Sequence, residues 1–168
     1  MFPNKKGVTL VEMIVVVIII AGLVAMAFPT FLTSIEKSRA SEAVKVLSHF
    51  TAAQERYLAD CSEQSGGVCV YADDLKKLPV GIHRGEITNA TTMLTHSFTY
   101  TLDTVAGKIK AVTNNNSYAY TMEAFYNPTS NADIDVVKCI PSAGSKKEKD
   151  TQVCSALGKE SGSAYIIN

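Results

Sequence analysis

Two hydrophobic patterns follow each other near the start of the chain, and together they predict one long helix. Residues 13–29 contain no charged or hydroxyl side chain over 17 positions. After Pro29 the apolar residues recur at spacings near three and four, which is typical of an amphipathic helix; they are Ile35, Ala40, Ala43, Val44, Leu47, Phe50, Ala53, Tyr57 and Leu58. We therefore predict a helix from residue 9 to about residue 60, roughly 78 Å long at 1.5 Å per residue, with a kink near Pro29.

The two halves of this predicted helix need different surroundings. The first half is apolar all round, so it requires lipid or other helices. The second half has one polar side, where we expect most of the charged and amide residues to lie: Glu36, Lys37, Arg39, Glu42, Lys45, Gln54 and Glu55. The second half therefore belongs to a domain of its own, whose core its apolar stripe would join.

Alternating apolar and polar positions predict strands further along the chain. They occur in residues 98–102, 108–111 and 118–124, and another strand is expected near 134–139. Turn-forming residues separate these segments, which favours an antiparallel β-meander of about four strands. One face of the meander would pack on the amphipathic half of the helix, so the predicted fold class is α+β. The tail, residues 140–168, is rich in Ser, Gly and Lys and is expected to form a loop.

Four cysteines, Cys61, Cys69, Cys139 and Cys154, follow the apolar segment. An even number in an exported domain favours disulfides, and four cysteines permit three connectivities. The local pairs, Cys61–Cys69 and Cys139–Cys154, are the expected ones, because each closes a short loop beside glycine or serine. A zinc site is the alternative, but zinc-binding cysteines usually stand closer together in sequence. The second bridge would tie the C-terminal loop to the sheet.

One acid, Glu12, lies at the edge of the apolar run. A carboxylate there is costly in a membrane, which indicates that it has a purpose. It stands four residues after Val8, which is preceded by Lys5, Lys6 and Gly7. If the chain is cut between Gly7 and Val8, Val8 acquires an ammonium group and Glu12 can meet the ammonium of another copy. The alternative is that Glu12 neutralises its own N-terminus or reaches the membrane interface.

An ordinary secretory signal peptide or a plain membrane anchor is the competing interpretation of this segment. The apolar run is about the shortest that spans a bilayer and is longer than a typical signal-peptide core. Its nearest cleavage candidate, residues 25–27, leads into Phe28 and Pro29, which disfavours a cut there. Lys5 and Lys6 precede the run and place the N-terminus in the cytoplasm, so everything after residue 33 would be exported.

Residues 6–12 (Lys-Gly-Val-Thr-Leu-Val-Glu), the apolar helix and Pro29 resemble the type IV pilin family and its relatives, the type II secretion pseudopilins. The resemblance implies a prepilin peptidase that cuts after Gly7 and methylates the new N-terminus at Val8. Two positions depart from the family pattern. Val8 stands where the family usually has an aromatic residue or Met, and Gly22 is shifted by one position. Neither departure removes the cleavage signal.

For the whole chain, the resemblance implies a structural role with three parts: a leader at 1–7, a transmembrane and filament-core helix at 8–32, and an exported head domain at 33–168. The precursor would lie in the inner (cytoplasmic) membrane. Pilus assembly machinery would then build many copies into an extracellular filament of the kind used in cell adhesion and twitching motility, with Gly22 and Pro29 as points of helix flexibility. A minor pilin or a pseudopilin is the alternative. The tail tied by Cys139 and Cys154 resembles the closing loop of pilins and favours a pilin.

No sequence pattern of an enzyme or a cofactor site stands against this interpretation. His49, His83 and His96 are isolated from one another, and the chain has no nucleophile elbow, phosphate-binding loop or zinc-protease motif. The net charge is zero, so no basic field indicates nucleic acid. We therefore expect no catalytic activity, no cofactor, no metal and no specific nucleic acid. A membrane-anchored exported enzyme or ligand-binding module is the competing class.

Two charged groups remain as weaker candidates. The acidic pairs Asp73/Asp74 and Asp133/Asp135 could offer oxygen ligands to calcium, which secretion pseudopilins often bind. Solvated loop acids are the expected interpretation. The run at residues 146–150, Lys-Lys-Glu-Lys-Asp, is expected to be a solvated face of the tail, with contact to a neighbouring subunit or to DNA as the alternative.

Overall fold

A computed structural model describes residues 7–65, 69–80, 85–126 and 136–167 of the chain, with the backbone alone described in residues 62–65. The predictions made for Lys5, Lys6, His83, Asp133 and Asp135 lie outside these described residues. The chain divides into two compact units, the first ending at Ile35 and the second beginning at Glu36.

Unit 1 consists mainly of the first part of helix α1, which runs from Leu10 to Ser65 and so also enters unit 2. Its large apolar side chains are exposed from Val8 to Leu32; Ile18 is 65% and Met26 81% exposed. The helix is long and apolar enough to cross a membrane. The structure thus gives this segment the apolar surface that the sequence predicts, and α1 is one helix with Pro29 inside it.

Unit 2 is built on an antiparallel sheet, with eight strands in the described part of the chain. The strands are β1 (Glu86–Ile87), β2 (Thr92–Leu94), β3 (Phe98–Asp103), β4 (Lys108–Thr113), β5 (Thr121–Phe125), β6 (Val137–Ile140), β7 (Lys159–Ser161) and β8 (Ala164–Ile167). They lie in the order β1-β2-β3-β4-β5-β6-β8-β7, so β8 is between β6 and β7. Helix α2 (Lys147–Leu157) lies between β6 and β7 in sequence, and a 3₁₀ helix (Leu75–Lys77) follows α1.

The core of unit 2 lies between one face of the sheet and the second part of α1. Burial alternates along β3, where Phe98, Tyr100 and Leu102 are buried and the residues between them are half-buried. On α1, the predicted apolar stripe supplies the opposite side of the core, with Leu47 fully buried and the ring of Phe50 centred 6.1 Å from that of Tyr100. The predicted α+β class, a long helix on an antiparallel sheet, is confirmed.

Several details differ from the sequence prediction. Among the described residues, the sheet has eight strands rather than about four, because short segments at both ends of the meander also pair. The strand predicted at 118–124 begins only at Thr121, since residues 118–120 belong to the connection that precedes it. The tail at 140–168, expected to be a loop, contains α2 and the hairpin of β7 and β8. Helix α1 begins at Leu10 and continues to Ser65, five residues beyond the predicted end near residue 60.

Gly158 allows the chain to turn from α2 into β7. It is the C-cap of α2, and its N–H donates to the carbonyl of Cys154 over 3.1 Å. A Cβ at this position would lie 2.2 Å from the carbonyl oxygen of Ile166 in β8, which is closer than side-chain carbons approach a backbone. The close passage of the α2–β7 junction along β8 therefore requires glycine.

Candidate functional site

The predicted cleavage site lies just outside helix α1. Gly7, Val8 and Thr9 are not helical, and the helix begins at Leu10. Val8 is 63% exposed, and a Cβ added at Gly7 would meet nothing within 4 Å. The peptide bond between Gly7 and Val8 is therefore accessible in the structure.

Glu12 lies in the first turn of α1 and pairs with Thr9, a contact that our sequence interpretation missed. One carboxylate oxygen, Oε2, accepts hydrogen bonds from the N–H and the hydroxyl of Thr9, each over 3.2 Å. In return, the Glu12 N–H donates to Oγ1 of Thr9 over 3.3 Å. This reciprocal arrangement is a capping box, for which the spacing Thr9-x-x-Glu12 was the available sequence signal. It holds the Glu12 carboxylate against Thr9, the residue that follows Val8.

Gly22 and Pro29, the predicted points of helix flexibility, both lie inside the exposed part of α1. A Cβ at Gly22 would meet nothing within 4 Å, so the fold of the single subunit does not require glycine there. Pro29 has no N–H, which leaves the carbonyl of Ala25 without its usual helical partner. One turn later, the Thr33 hydroxyl donates to the carbonyl of Pro29 over 3.2 Å. Such side-chain bonds to the preceding turn often bend helices.

Both local disulfides favoured by the sequence are present in the structure. Cys61 and Cys69 have Cα atoms 5.9 Å apart, and Cys139 and Cys154 have Cα atoms 5.5 Å apart. The first bridge joins the last turns of α1 to the segment that follows it. The second is fully buried and joins strand β6 to helix α2. The C-terminal segment is therefore covalently tied to the sheet, although it is a helix rather than a loop.

Glu36, which we predicted on the polar side of α1, is buried and holds the sheet to the helix. It is 1% exposed. Its Oε1 accepts hydrogen bonds from the hydroxyls of Tyr120 (2.9 Å) and Thr113 (3.3 Å), and its Oε2 from the side-chain amide of Asn115 (2.8 Å). Arg39 adds an ion pair over 3.4 Å. Burial, together with the nearby Glu36 carboxylate, raises the pKa of Tyr120 well above its usual value.

Asp150, on α2, is another buried carboxylate that accepts hydrogen bonds from other parts of unit 2. Its burial corrects our expectation that the charge run at 146–150 is solvated. Lys147, Glu148 and Lys149 are exposed, but Asp150 is fully buried. Its Oδ1 accepts from the N–H of Ala119 over 3.0 Å, and its Oδ2 accepts from the N–H and the hydroxyl of Ser142. Together with Glu36, it fixes the connection between β4 and β5, residues 114–120, from two helices.

Gln54 is a second polar residue of α1 that we placed on the outside and that the structure buries completely. Its side-chain amide makes two bonds to the backbone of Ala72: the Nε2 group donates to the carbonyl (3.0 Å), and the oxygen accepts from the N–H (2.8 Å). One bond is donated and one is accepted, as between two residues that exchange backbone hydrogen bonds in neighbouring β-strands. It anchors the segment after the Cys61–Cys69 bridge to α1.

The described metal candidates have ordinary structural partners. Asp73 forms an ion pair with Lys77 over 2.6 Å, which lowers the pKa of Asp73, mainly through the hydrogen bond that Lys77 donates. Asp74 accepts from the N–H of Lys76 and caps the 3₁₀ helix. His49 and His96 are exposed. Within the described ranges, no three His, Cys, Asp or Glu side chains are grouped as a metal site requires.

A comparison with protein-family models identifies the N-terminal segment. Residues 2–28 match the model described as the prokaryotic N-terminal methylation motif. The match includes the Gly7–Val8 bond, the Thr9/Glu12 capping box and Gly22. No curated protein and no solved structure matches the chain.

Proposed function

Because residues 2–28 carry the N-terminal methylation motif, the leader of type IV pilins and pseudopilins, we propose that this protein is the structural subunit of a type IV pilus. In this proposal, a prepilin peptidase cuts after Gly7 and methylates Val8. The mature subunits then polymerise through the apolar part of α1 into a surface filament. The chain has a structural role and no catalytic activity of its own.

The exposed apolar surface of unit 1 is the structural observation that supports this proposal. Its large apolar side chains are about half exposed or more from Val8 to Leu32. Burying apolar surface contributes about 25 cal/mol per Å², so such a helix is stable only in lipid or among other apolar helices. A membrane provides the first environment for the precursor, and copies of the same helix provide the second in a filament.

Glu12 supplies the charge that orders the subunits in this proposal. After cleavage, Val8 bears the only new positive charge in this apolar surface. An attraction between that ammonium and the Glu12 carboxylate of a neighbour is much stronger in a helix bundle than in water. Leaving either group unpaired there is costly, which favours one register of docking. The partners are therefore further copies of the chain, together with the peptidase and the inner-membrane assembly machinery.

The first test is the N-terminus of the protein in sheared surface filaments. We expect intact mass and N-terminal peptide analysis to find a chain that begins at Val8 and carries one methyl group on its amine. A chain that begins at Met1, or one cut near Ala27, would contradict the proposal. Gly7→Val is the matched control: Gly7 has free space around it, so an uncut Gly7→Val precursor would reflect recognition by the peptidase rather than misfolding.

The amount of this chain in the filaments separates a major pilin from the alternatives. A major pilin would account for nearly all protein in purified filaments, whereas a minor pilin would be a small fraction. A secretion pseudopilin would leave surface filaments unaffected when its gene is deleted but would block export of secreted enzymes. The buried Cys139–Cys154 bridge in the C-terminal segment supports the pilin.

Residues 22–29 are predicted to lose helical structure in the filament. Gly22 lowers helix stability by about 1 kcal/mol relative to Ala, and Pro29 leaves the Ala25 carbonyl unpaired. In lipid the helix is favoured because a free backbone group is costly, but neighbouring side chains in a filament can replace the lost bonds. A cryo-electron microscopy map of the filament should show an interruption there, and a continuous helix through this segment would refute the prediction.

A further inference from the structure

Thr9 and Glu12 form three hydrogen bonds within one subunit, which the proposed pairing of Glu12 with a neighbouring subunit does not require. Its hydroxyl oxygen accepts the N–H of Glu12, while its own N–H and O–H both donate to the Glu12 carboxylate. These bonds make Thr9 the N-cap of α1, since the carbonyl of Thr9 already accepts the first helical bond from the N–H of Met13, over 3.3 Å. Helix α1 therefore starts two residues after the Gly7–Val8 bond.

We propose that Thr9 is a positioning residue for cleavage. It caps the N-terminus of α1, so that the Gly7–Val8 bond stays non-helical and can enter the peptidase. This inference rests on the proposed processing after Gly7. A peptide bond inside a helix has its N–H and carbonyl held by the neighbouring turns, and a peptidase must first unwind it. Chain segments outside regular structure are the preferred sites of cleavage for this reason.

The surroundings of Gly7 and Val8 explain why the cap is needed. A Cβ at Gly7 would meet nothing within 4 Å, and Val8 is 63% exposed, so packing within the described part of unit 1 offers little to hold them out of a helix. In an apolar environment, a helix tends to extend because each free N–H and carbonyl then gains a partner. The Thr9 hydroxyl opposes this by satisfying the Glu12 N–H itself.

Thr9 and Glu12 then have separable roles. The bond from the Glu12 N–H to the Thr9 hydroxyl uses the backbone of residue 12, so it remains when the Glu12 side chain is removed. Replacement of Glu12 by Ala removes the two bonds that its carboxylate accepts but keeps this N-cap bond, so it should affect assembly more than the helix stop. Replacement of Thr9 by Ala removes the N-cap bond while keeping the Glu12 charge and the bond from the residue 9 N–H to it.

The test compares full-length precursors in membranes with the prepilin peptidase, under single-turnover conditions. We expect Thr9→Ala to be cleaved about 2- to 30-fold more slowly than the wild type, the factor that corresponds to a lost N-cap. Thr9→Ser keeps a capping hydroxyl and should be cleaved at nearly the wild-type rate. Hydrogen exchange provides the second measurement: in Thr9→Ala, the amides of Leu10 and Val11 should gain protection, because the carbonyls of Lys6 and Gly7 become their helical partners.

Each outcome decides the inference. Cleavage of Thr9→Ala at the wild-type rate or faster would overturn it, and so would slower cleavage without a gain of amide protection or without rescue by Thr9→Ser. The proposed function fails in a different way, namely when the wild-type precursor is not cut between Gly7 and Val8 at all.

Discussion

Glu12→Ala is expected to produce mature subunit that stays in the membrane and few or no surface filaments. The precursor should still be cut, because the peptidase acts on the Gly7–Val8 side of the site and Thr9 keeps its bond to the backbone of residue 12. The ammonium of Val8 would then have no partner inside an apolar helix bundle. Leaving one charge of a buried pair alone costs about 3–5 kcal/mol. Repeated at each subunit, that loss is enough to prevent polymerisation.

Two measurements on the same cells check this prediction: mass analysis of the membrane-bound subunit, and the yield of sheared filaments. Glu12→Gln is the matched control, since its amide oxygen can still accept the Thr9 N–H but carries no charge. If the charge is what matters, both variants lose filaments, and coexpression with the wild type restores partial incorporation. A normal filament yield from Glu12→Ala alone would show that this charge pairing does not assemble the protein.

Glu36→Ala is expected to lower the free energy of unfolding of unit 2 by roughly 3–4 kcal/mol, with a fall in Tm of about 10 °C. The change leaves the hydroxyls of Tyr120 and Thr113 and the amide of Asn115 without their acceptor. Buried donors that lose their partner contribute most of the loss, because water reaches this carboxylate poorly at 1% exposure. Thermal unfolding of the full chain in detergent, followed by tyrosine fluorescence, measures the effect.

Two further variants separate the charge of Glu36 from its hydrogen bonds. Glu36→Gln keeps an acceptor for the hydroxyls but turns a donor toward Asn115, so an intermediate loss is expected. Glu42→Ala removes an exposed carboxylate from the same helix and should change stability by less than about 0.5 kcal/mol. If Glu36→Ala is as stable as Glu42→Ala, the buried carboxylate does not hold the helix to the sheet.

The fold class could be predicted because the pattern of the core is strong. Phe98, Tyr100 and Leu102 alternate with polar residues on β3, and the structure buries all three. The apolar stripe of α1 shows the same agreement at Leu47 and Phe50. In both elements the apolar side chains point to the same core. The spacing of the apolar residues therefore follows the geometry of the element, with alternation on a strand and spacings of three and four on a helix.

The buried polar residues could not be predicted from the same pattern. Glu36, Gln54 and Asp150 look like surface residues in a sequence, because charged and amide side chains are usually exposed. Each is paired with groups outside its own helix, at sequence separations that range from 8 positions for Asp150 and Ser142 to 84 for Glu36 and Tyr120. Periodicity describes which face of an element is apolar and contains no information about such partners.

The shortest elements were missed for a related reason. β1, β2, β7 and β8 have two to four residues each, too few to show a period. Their place in the sheet is determined by the neighbouring strands, which supply the hydrogen bonds. Helix α2 has charged residues through its first turn and a Lys as its N-cap without a side-chain bond, so the usual signal of a helix start was absent.

The position of β8 inside the sheet has a consequence for the export that we propose. Ala164–Ile167, the last of the described strands in sequence, pairs with β6 on one side and with β7 on the other. If the segments of the chain cross the membrane in sequence order, this strand emerges after the other described strands. Until it emerges, β6 has a free edge and β7 has no partner in the sheet. An unpaired edge of this kind is a site for misassociation with other chains. Completion of the head is thus a late event, and a chain interrupted before residue 164 would lose two strands and leave β6 uncovered.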